Sequence, residues 1–487
     1  MSLWRKKPFE PSGTESDTAG LKRTLGPINL MAIGIGAIIG AGLFSLTGQA
    51  ASEHAGPAVV LSFVVAAIGC AFAGLCYSEF AAMIPKAGSA YTYAYHSLGE
   101  YLAWIIGWDL VLEYSIGAST VAVSWCGYFV SLLNDRDIHL PVRLMASPFE
   151  PLKLPDGTHV AGSSLFNLPA VVVVVVISLL LIWGVEESAM VTGVIVALKL
   201  AVVILFIAAG YQFINPANHH PFIVQNTGQF GHFGWTGIMA GAGVIFFAFI
   251  GFDAVSTAAQ ETVNPQRNMP IGIIGSLIVC TVLYVLFSWV LTGLVPYQVF
   301  GTDANKDAPV VVAMNAIPAY VWLRPLVKIA ILLGYTSVIL VMLMGQSRVF
   351  LAMAEDGLIP KVFAEVHPKF RTPWRSNLLF MVFVSLFSAF VPMSKLGEMT
   401  SIGTLFAFCI VCAAVLVMRK THPEKPRPFR TPSVPAVPIL GILFCLAMMI
   451  HLGLGNWLRL IGWFAIGQVI YFSYGRHHSK LAPEESR

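Results

Sequence analysis

Long apolar runs, cut at intervals by short polar stretches, dominate the chain from about residue 29 onward. PAVVLSFVVAAIGCAFAGLCY (57–77) and LFNLPAVVVVVVISLLLIWGV (165–185) each reach the roughly 20 residues that carry a helix across a hydrocarbon core. The pattern predicts twelve helices, near 29–50, 57–84, 99–132, 165–185, 189–214, 235–260, 270–295, 322–354, 376–391, 399–418, 434–452 and 456–474. Two polar insertions stand out: 133–164, and the PYQVFGTDANKDAP stretch before the eighth helix. The fold class expected is an all-α polytopic membrane protein, with polar ends at 1–28 and 476–487.

Composition strengthens that reading. The 487 residues are 56% hydrophobic and 11% charged, where soluble domains carry about 25% charged residues. Residues 1–24 hold Arg5, Lys6, Lys7, Lys22 and Arg23 with no apolar stretch among them. The first helix is therefore expected to stay in the mature protein. An even span count collects Lys86, Arg267, the Arg348–Arg375 region, the 419–430 segment and the C-terminal tail on one side, whereas 215–234 has no charged residue. Both termini are predicted to be cytoplasmic, in the cell membrane. All seven cysteines lie in apolar runs, so no loop disulfide framework is expected, and the Cys409–Cys412 spacing reads as helix packing.

The stretch GIGAIIGAGLF (34–44) is the first irregularity. Glycine inside a helix costs roughly 1 kcal/mol relative to alanine. Gly36 and Gly40 form a GxxxG, which close helix packing alone could explain. A second segment sharpens the choice: GAGVIFFAFIGFDAVSTAAQE (241–261) again has glycines mid-helix. Glycine-interrupted spans in corresponding positions, five helices apart, point to inverted repeats around a midplane site. Broken helices expose N–H groups at one half-helix start and C=O groups at the other half's end. An α-amino acid needs that pair, donors for its carboxylate and acceptors for its ammonium.

GIGAIIGAGLF, FFAFIGFDAVSTAAQETVNPQRNMPIGI (246–273) and SRVFLAMAEDGLIPKVFAEVHPKFRTP (347–373), in that order, resemble the amino acid–polyamine–organocation transporters. The likeness covers about 25–475 and is strongest to the cationic amino acid transporter branch and its bacterial relatives. It implies a LeuT-type five-plus-five inverted repeat over 29–418, with halves of about 29–214 and 235–418, broken helices 1 and 6, and peripheral helices in 419–475. The animal members have fourteen spans, against twelve here. Carried over by position, the resemblance puts the substrate carboxylate at the amides of Ala41 and Gly42. Its ammonium falls to the carbonyls of Ile38, Phe247, Ala248 and Ile250. Phe247 would also be an aromatic lid, without the tryptophan some relatives place in this span. No loop cysteine lies between helices 3 and 4, so a disulfide-linked heavy chain is not expected, while a small accessory membrane subunit stays open.

Ionisable groups inside apolar helices carry the remaining chemistry, since each costs about 2.5–3.5 kcal/mol at mid-span. Lys199 lies about ten residues, roughly 15 Å, into the fifth helix. It either donates to the loose carbonyls of a broken helix or carries the coupled proton, because burial disfavours an ammonium. Asp109 and Glu113 share one face of the third helix. They would pair with Lys199 or tyrosine hydroxyls, or attract a substrate's side-chain cation. Asp253 would cap the lower half of helix 6 or sense an amine. Ser337, by resemblance, would set pocket size. Glu79 reads as interfacial, Arg267 as a gating or topological residue, and the paired histidines 219–220 and 477–478 as loop residues without metal.

Neither HExxH nor GxSxG occurs, which speaks against an enzyme. A channel would need a continuous polar ring, whereas the polar elements here cluster at two glycine-rich helices. The expected function is import of cationic or small neutral L-amino acids by proton symport with alternating access. Exchange, sodium coupling and polyamine transport remain open. No cofactor and no nucleic-acid partner is expected; the lipid bilayer and a small substrate are the partners.

Overall fold

The computed structural model describes residues 4–7, 25–84, 89–149, 152–153, 159–160, 164–184, 189–253, 255–256, 259, 262–302 and 308–482. Helices fall on every apolar segment anticipated from the sequence. They are α1 (Pro27–Ile38), α2 (Val59–Met83), α3 (Ser89–Ser97), α4 (Glu100–Asn134), α5 (Leu168–Ile182), α6 (Ala189–Tyr211) and α7 (Gly234–Ile245). The second half holds α8 (Pro265–Leu294), α9 (Arg324–Glu355), α10 (Trp374–Phe390), α11 (Met393–Thr421), α12 (Ala436–His451) and α13 (Leu454–Ile470). The short α3, SAYTYAYHS, is an addition to the helices expected from the sequence and is buried almost throughout. Within the 133–164 insertion, Leu152–Lys153 (β1) and His159–Val160 (β2) pair antiparallel, a small departure from an all-α chain.

Local chemistry sets the helix starts. A proline stands at the first position of α1 and α8 and at the second of α5 and α9, where a missing N–H leaves nothing unsatisfied. Asn167 caps α5, its side chain accepting from the Ala170 N–H at 3.1 Å. Periodicity then sorts the faces. In α5, Val173, Val174, Ile177 and Leu181 are buried, while Val172, Val176 and Leu179 stand exposed. An apolar outer face of this kind suits lipid rather than water.

Helix α4 runs along α9 and α11, α2 along α8, and α1 lies against α8 and α6. Among the described residues, six helical stretches are long and apolar enough to cross a membrane, or seven if the α12–α13 pair, bent by 110°, counts as one. Pro27–Ile38, Leu168–Ile182, Gly234–Phe249 and Trp374–Phe390 are apolar but shorter. Two of the short helices, α1 and α7, are short for a common reason: the 29–50 and 235–260 segments are each interrupted midway.

Candidate functional site

Helix α1 stops at Ile38, and Ile39 turns extended at φ −72°, ψ 104°. Helical winding resumes in a wide turn at Gly42–Leu46. Helix α7 tightens into a 3-10 turn over Phe246–Phe249 before Ile250 goes extended at ψ 137°. Gly251 follows at φ +118°, a conformation that side chains other than glycine's hydrogen strongly disfavour.

The two interruptions meet backbone to backbone. A Cβ at Gly42 would lie 2.2 Å from Ala248 Cα, and one at Gly251 would lie 2.8 Å from the Ala37 carbonyl carbon. Glycine is required at both crossings because main chain, not a movable side chain, occupies the space. Ile38, Ala41, Gly42, Phe247, Ala248 and Ile250 are therefore brought to one place.

The last carbonyls of a helix have no partner one turn on, and side chains take two of them here. Lys199 Nζ, buried, donates to the Gly36 carbonyl at 2.6 Å. Its stem lies on Gly334 of α9, where a Cβ would come within 2.9 Å of Lys199 Cε. The Tyr284 hydroxyl lies 3.0 Å from the Ile38 carbonyl and 2.9 Å from that of Ala248. The Phe247 carbonyl accepts from the Ile250 N–H at 3.2 Å. Tyr284 was missed from the sequence; its one signal was a hydroxyl inside the otherwise apolar VLYVLF (282–287). Beyond the α1 break, Tyr128 donates to the Phe44 carbonyl at 2.7 Å, and Ser45 and Tyr335 share a hydrogen bond of 2.8 Å.

The carboxyl groups form a second cluster. Asp253 accepts from the Tyr114 hydroxyl at 2.8 Å. Its expected capping partners fall partly on 254, 257, 258, 260 and 261, outside the described residues. Glu113 and Asp109 are buried; neither Asp109 oxygen meets a hydrogen-bond donor among the described residues, whereas Glu113 interacts with the Thr404 hydroxyl of α11. Tyr114 donates to Asp253, and Lys199 to the Gly36 carbonyl. Ser337 is buried and donates to the Gly334 carbonyl of its own helix at 3.0 Å.

Glu79, four residues from the end of α2, is buried by partners from the 419–431 segment. It is 2% exposed and receives Arg419 in a two-pronged contact at 2.9 Å, Arg427 at 3.2 Å and the Thr431 N–H at 2.8 Å. A buried carboxylate with this many donors pins the 422–431 loop to α2. Arg267 is exposed and lines a cavity of about 580 Å³ with Pro270, Ile274 and Phe429, away from the helix crossing. No group of three or more potential metal ligands occurs among the described residues. All seven cysteines are free thiols.

An apolar helical bundle in which two interrupted helices cross at their backbones is built like a membrane transporter. Comparison with known proteins gives the family. A model described as amino acid permease matches residues 25–471. The chain is 46% identical over 481 residues, 99% of each chain, to the branched-chain amino acid permease BcaP of Bacillus subtilis. It is 42% identical over 480 residues, again 99% of each, to the methylthioribose transporter of the same organism. The vacuolar cationic amino acid transporter 4 of Arabidopsis thaliana matches at 35% over 413 residues, 83% of this chain and 64% of that one. The chain belongs to the amino acid permease family, within the amino acid–polyamine–organocation superfamily. It is a multi-pass, secondary-active amino acid transporter and not an enzyme.

Proposed function

We propose that the protein imports L-amino acids by proton symport with alternating access. The observation that carries this reading is the crossing of the two interrupted helices, with the Gly36, Ile38 and Ala248 carbonyls turned away from helical bonding. Twelve spans in a LeuT-type five-plus-five arrangement, halves at 29–214 and 235–418 and peripheral helices in 419–475, accommodate it. Both termini are cytoplasmic and the membrane is the plasma membrane.

In this reading the substrate carboxylate takes the amides of Ala41 and Gly42 at the head of a half-helix, where the dipole favours an anion. Its ammonium takes the carbonyls of Ile38, Phe247, Ala248 and Ile250. Phe247 covers it, with Ser337 shaping the side-chain space. While protonated, Lys199 holds the Gly36 carbonyl; after proton release that restraint is gone and the bundle can change its access. The name branched-chain amino acid permease, carried by the Bacillus subtilis relative and by one of Lactococcus lactis 33% identical over 458 residues, supports a neutral apolar substrate here. A second reading, cationic substrates, is favoured by the buried Glu113 carboxyl, which lies within electrostatic reach of Asp253 and has no basic side chain bonded to it among the described residues. Uptake of labelled leucine, alanine, arginine and methylthioribose into proteoliposomes, with and without an imposed pH gradient, decides among these. Methylthioribose uptake without amino acid uptake would defeat the proposal.

A further inference from the structure

Tyr284 joins two elements that are far apart in the chain. Its hydroxyl reaches the Ile38 carbonyl in the last turn of α1 and the Ala248 carbonyl in the turn that follows α7, at 3.0 and 2.9 Å. A tyrosine hydroxyl has one hydrogen to give, so it serves two acceptors only by sharing it. The ring is held in place by Phe63 at 5.4 Å and Phe249 at 5.2 Å between centroids, and the residue is fully buried. Packing therefore sets where the hydroxyl sits.

We propose that Tyr284 is a positioning residue that takes the place of the substrate ammonium on the Ile38 and Ala248 carbonyls while the unloaded carrier returns across the membrane. This rests on the amino acid reading above, in which the ammonium uses the same two oxygens. An ammonium brings three hydrogens and a charge, and charge-assisted hydrogen bonds are roughly twice as strong as neutral ones. The loaded site therefore wins the carbonyls from the hydroxyl. When substrate leaves, two buried acceptors on separate half-helices would otherwise be stranded, and each such loss is costly. The hydroxyl satisfies both and keeps the half-helices together, so they can cross as one body.

Exchange and net uptake separate this role from simple packing. In exchange the carrier crosses loaded in both directions, and the hydroxyl has no task. In net uptake the unloaded return needs it. Purified wild-type protein and Tyr284→Phe, which keeps the ring, are compared in proteoliposomes with labelled leucine. Net uptake by the variant should fall about tenfold, the effect of losing one such bond, while leucine–leucine counterflow stays within about twofold. Equal losses in both modes, or unchanged net uptake, overturn the proposal. Should the variant fail to assemble, the infrared difference spectrum of wild-type protein on leucine addition serves instead. A shift in a tyrosine C–OH band supports the displacement, and no shift overturns it. If wild-type protein moves no amino acid in either mode, the amino acid reading has failed and this inference with it, a result distinct from any defect of the variant.

Discussion

Replacing Lys199 tests how transport is driven. Its ammonium lies 2.6 Å from the Gly36 carbonyl, and a hydrogen bond to a charged group contributes about 1.5–3 kcal/mol. Removing the donor also strands a buried carbonyl in the last turn of α1. A change of that size shifts the balance between two bundle arrangements by about ten- to hundredfold. Lys199→Met is the cleaner variant, because its stem can still lie on Gly334, whereas Lys199→Ala also opens space there. Both should bind substrate. Neither should concentrate leucine in proteoliposomes under an inward proton gradient, although counterflow exchange can survive, since it needs no net proton movement. Accumulation by either variant, driven by pH alone at the wild-type level, would refute the argument. Lys199 would then be a structural donor to Gly36, and Glu113 would be the next residue to test as the proton's path.

Three further outcomes follow from the same geometry. Gly42→Ala should impair both transport and thermal stability, because its Cβ would lie 2.2 Å from Ala248 Cα; normal uptake and melting would show that the crossing yields easily. Glu113→Gln should weaken transport of arginine by about 1.5–3 kcal/mol more than that of alanine if the carboxylate meets a substrate cation; equal losses measured in parallel uptake assays point to a structural or proton-linked role. His219, outside the spans, is held below its ordinary 6.5 chiefly by burial, with its bond to the Trp289 carbonyl opposing. Its contribution is therefore full above about pH 6.5 and is lost as pH falls through the lower folded value. Hydrogen exchange in 216–223 should rise on acidification, and His219→Asn should abolish that pH dependence.

Apolar length and glycine placement located the helices and both interruptions, because span length and backbone cost act locally and leave a mark in the sequence. The depth of Lys199 was equally legible, since counting residues along a helix gives distance directly. Partner choice was not. Glu79 stands at the end of an apolar run, and nothing local marks Arg419 and Arg427, more than 300 positions away, as its partners. Tyr284 looked like one more aromatic in lipid, and only the crossing of α1 with the turn after α7 gives its hydroxyl two acceptors. Glu113 and Asp109 share a helix face as the spacing required, but spacing cannot tell that Tyr114 turns to Asp253 instead of to them.

The way the bundle is tied at its ends indicates where it bends. Buried Glu100, at the start of α4, accepts from Tyr95, Tyr471 and Ser479 and lies 3.6 Å from Arg5. Asp356, just past α9, accepts from Tyr91 and Lys7 at 2.8 Å each, and its carbonyl accepts from the Lys480 N–H at 3.0 Å. Segments near both chain ends thus converge on the two helices that carry Glu113 and Gly334. The Lys7 pair alone is weak, since Lys7 is 42% exposed. Glu100 is different: separating a buried carboxylate from its donors is strongly destabilising. Helices α4 and α9 are also tied directly to each other, Gln346 donating to the Ser115 hydroxyl and Lys328 to the Ser131 carbonyl at 2.9 Å. The interruptions at Ile39 and Ile250–Gly251 have no continuous backbone ladder to break, so bending there sacrifices fewer hydrogen bonds than parting α4 from α9. Lys199 and Tyr284 both act at these interruptions, one on the Gly36 carbonyl and one across the gap. A change in either donor is therefore felt where the bundle yields most easily, which in the proposed mechanism would link proton and substrate occupancy to a change of access.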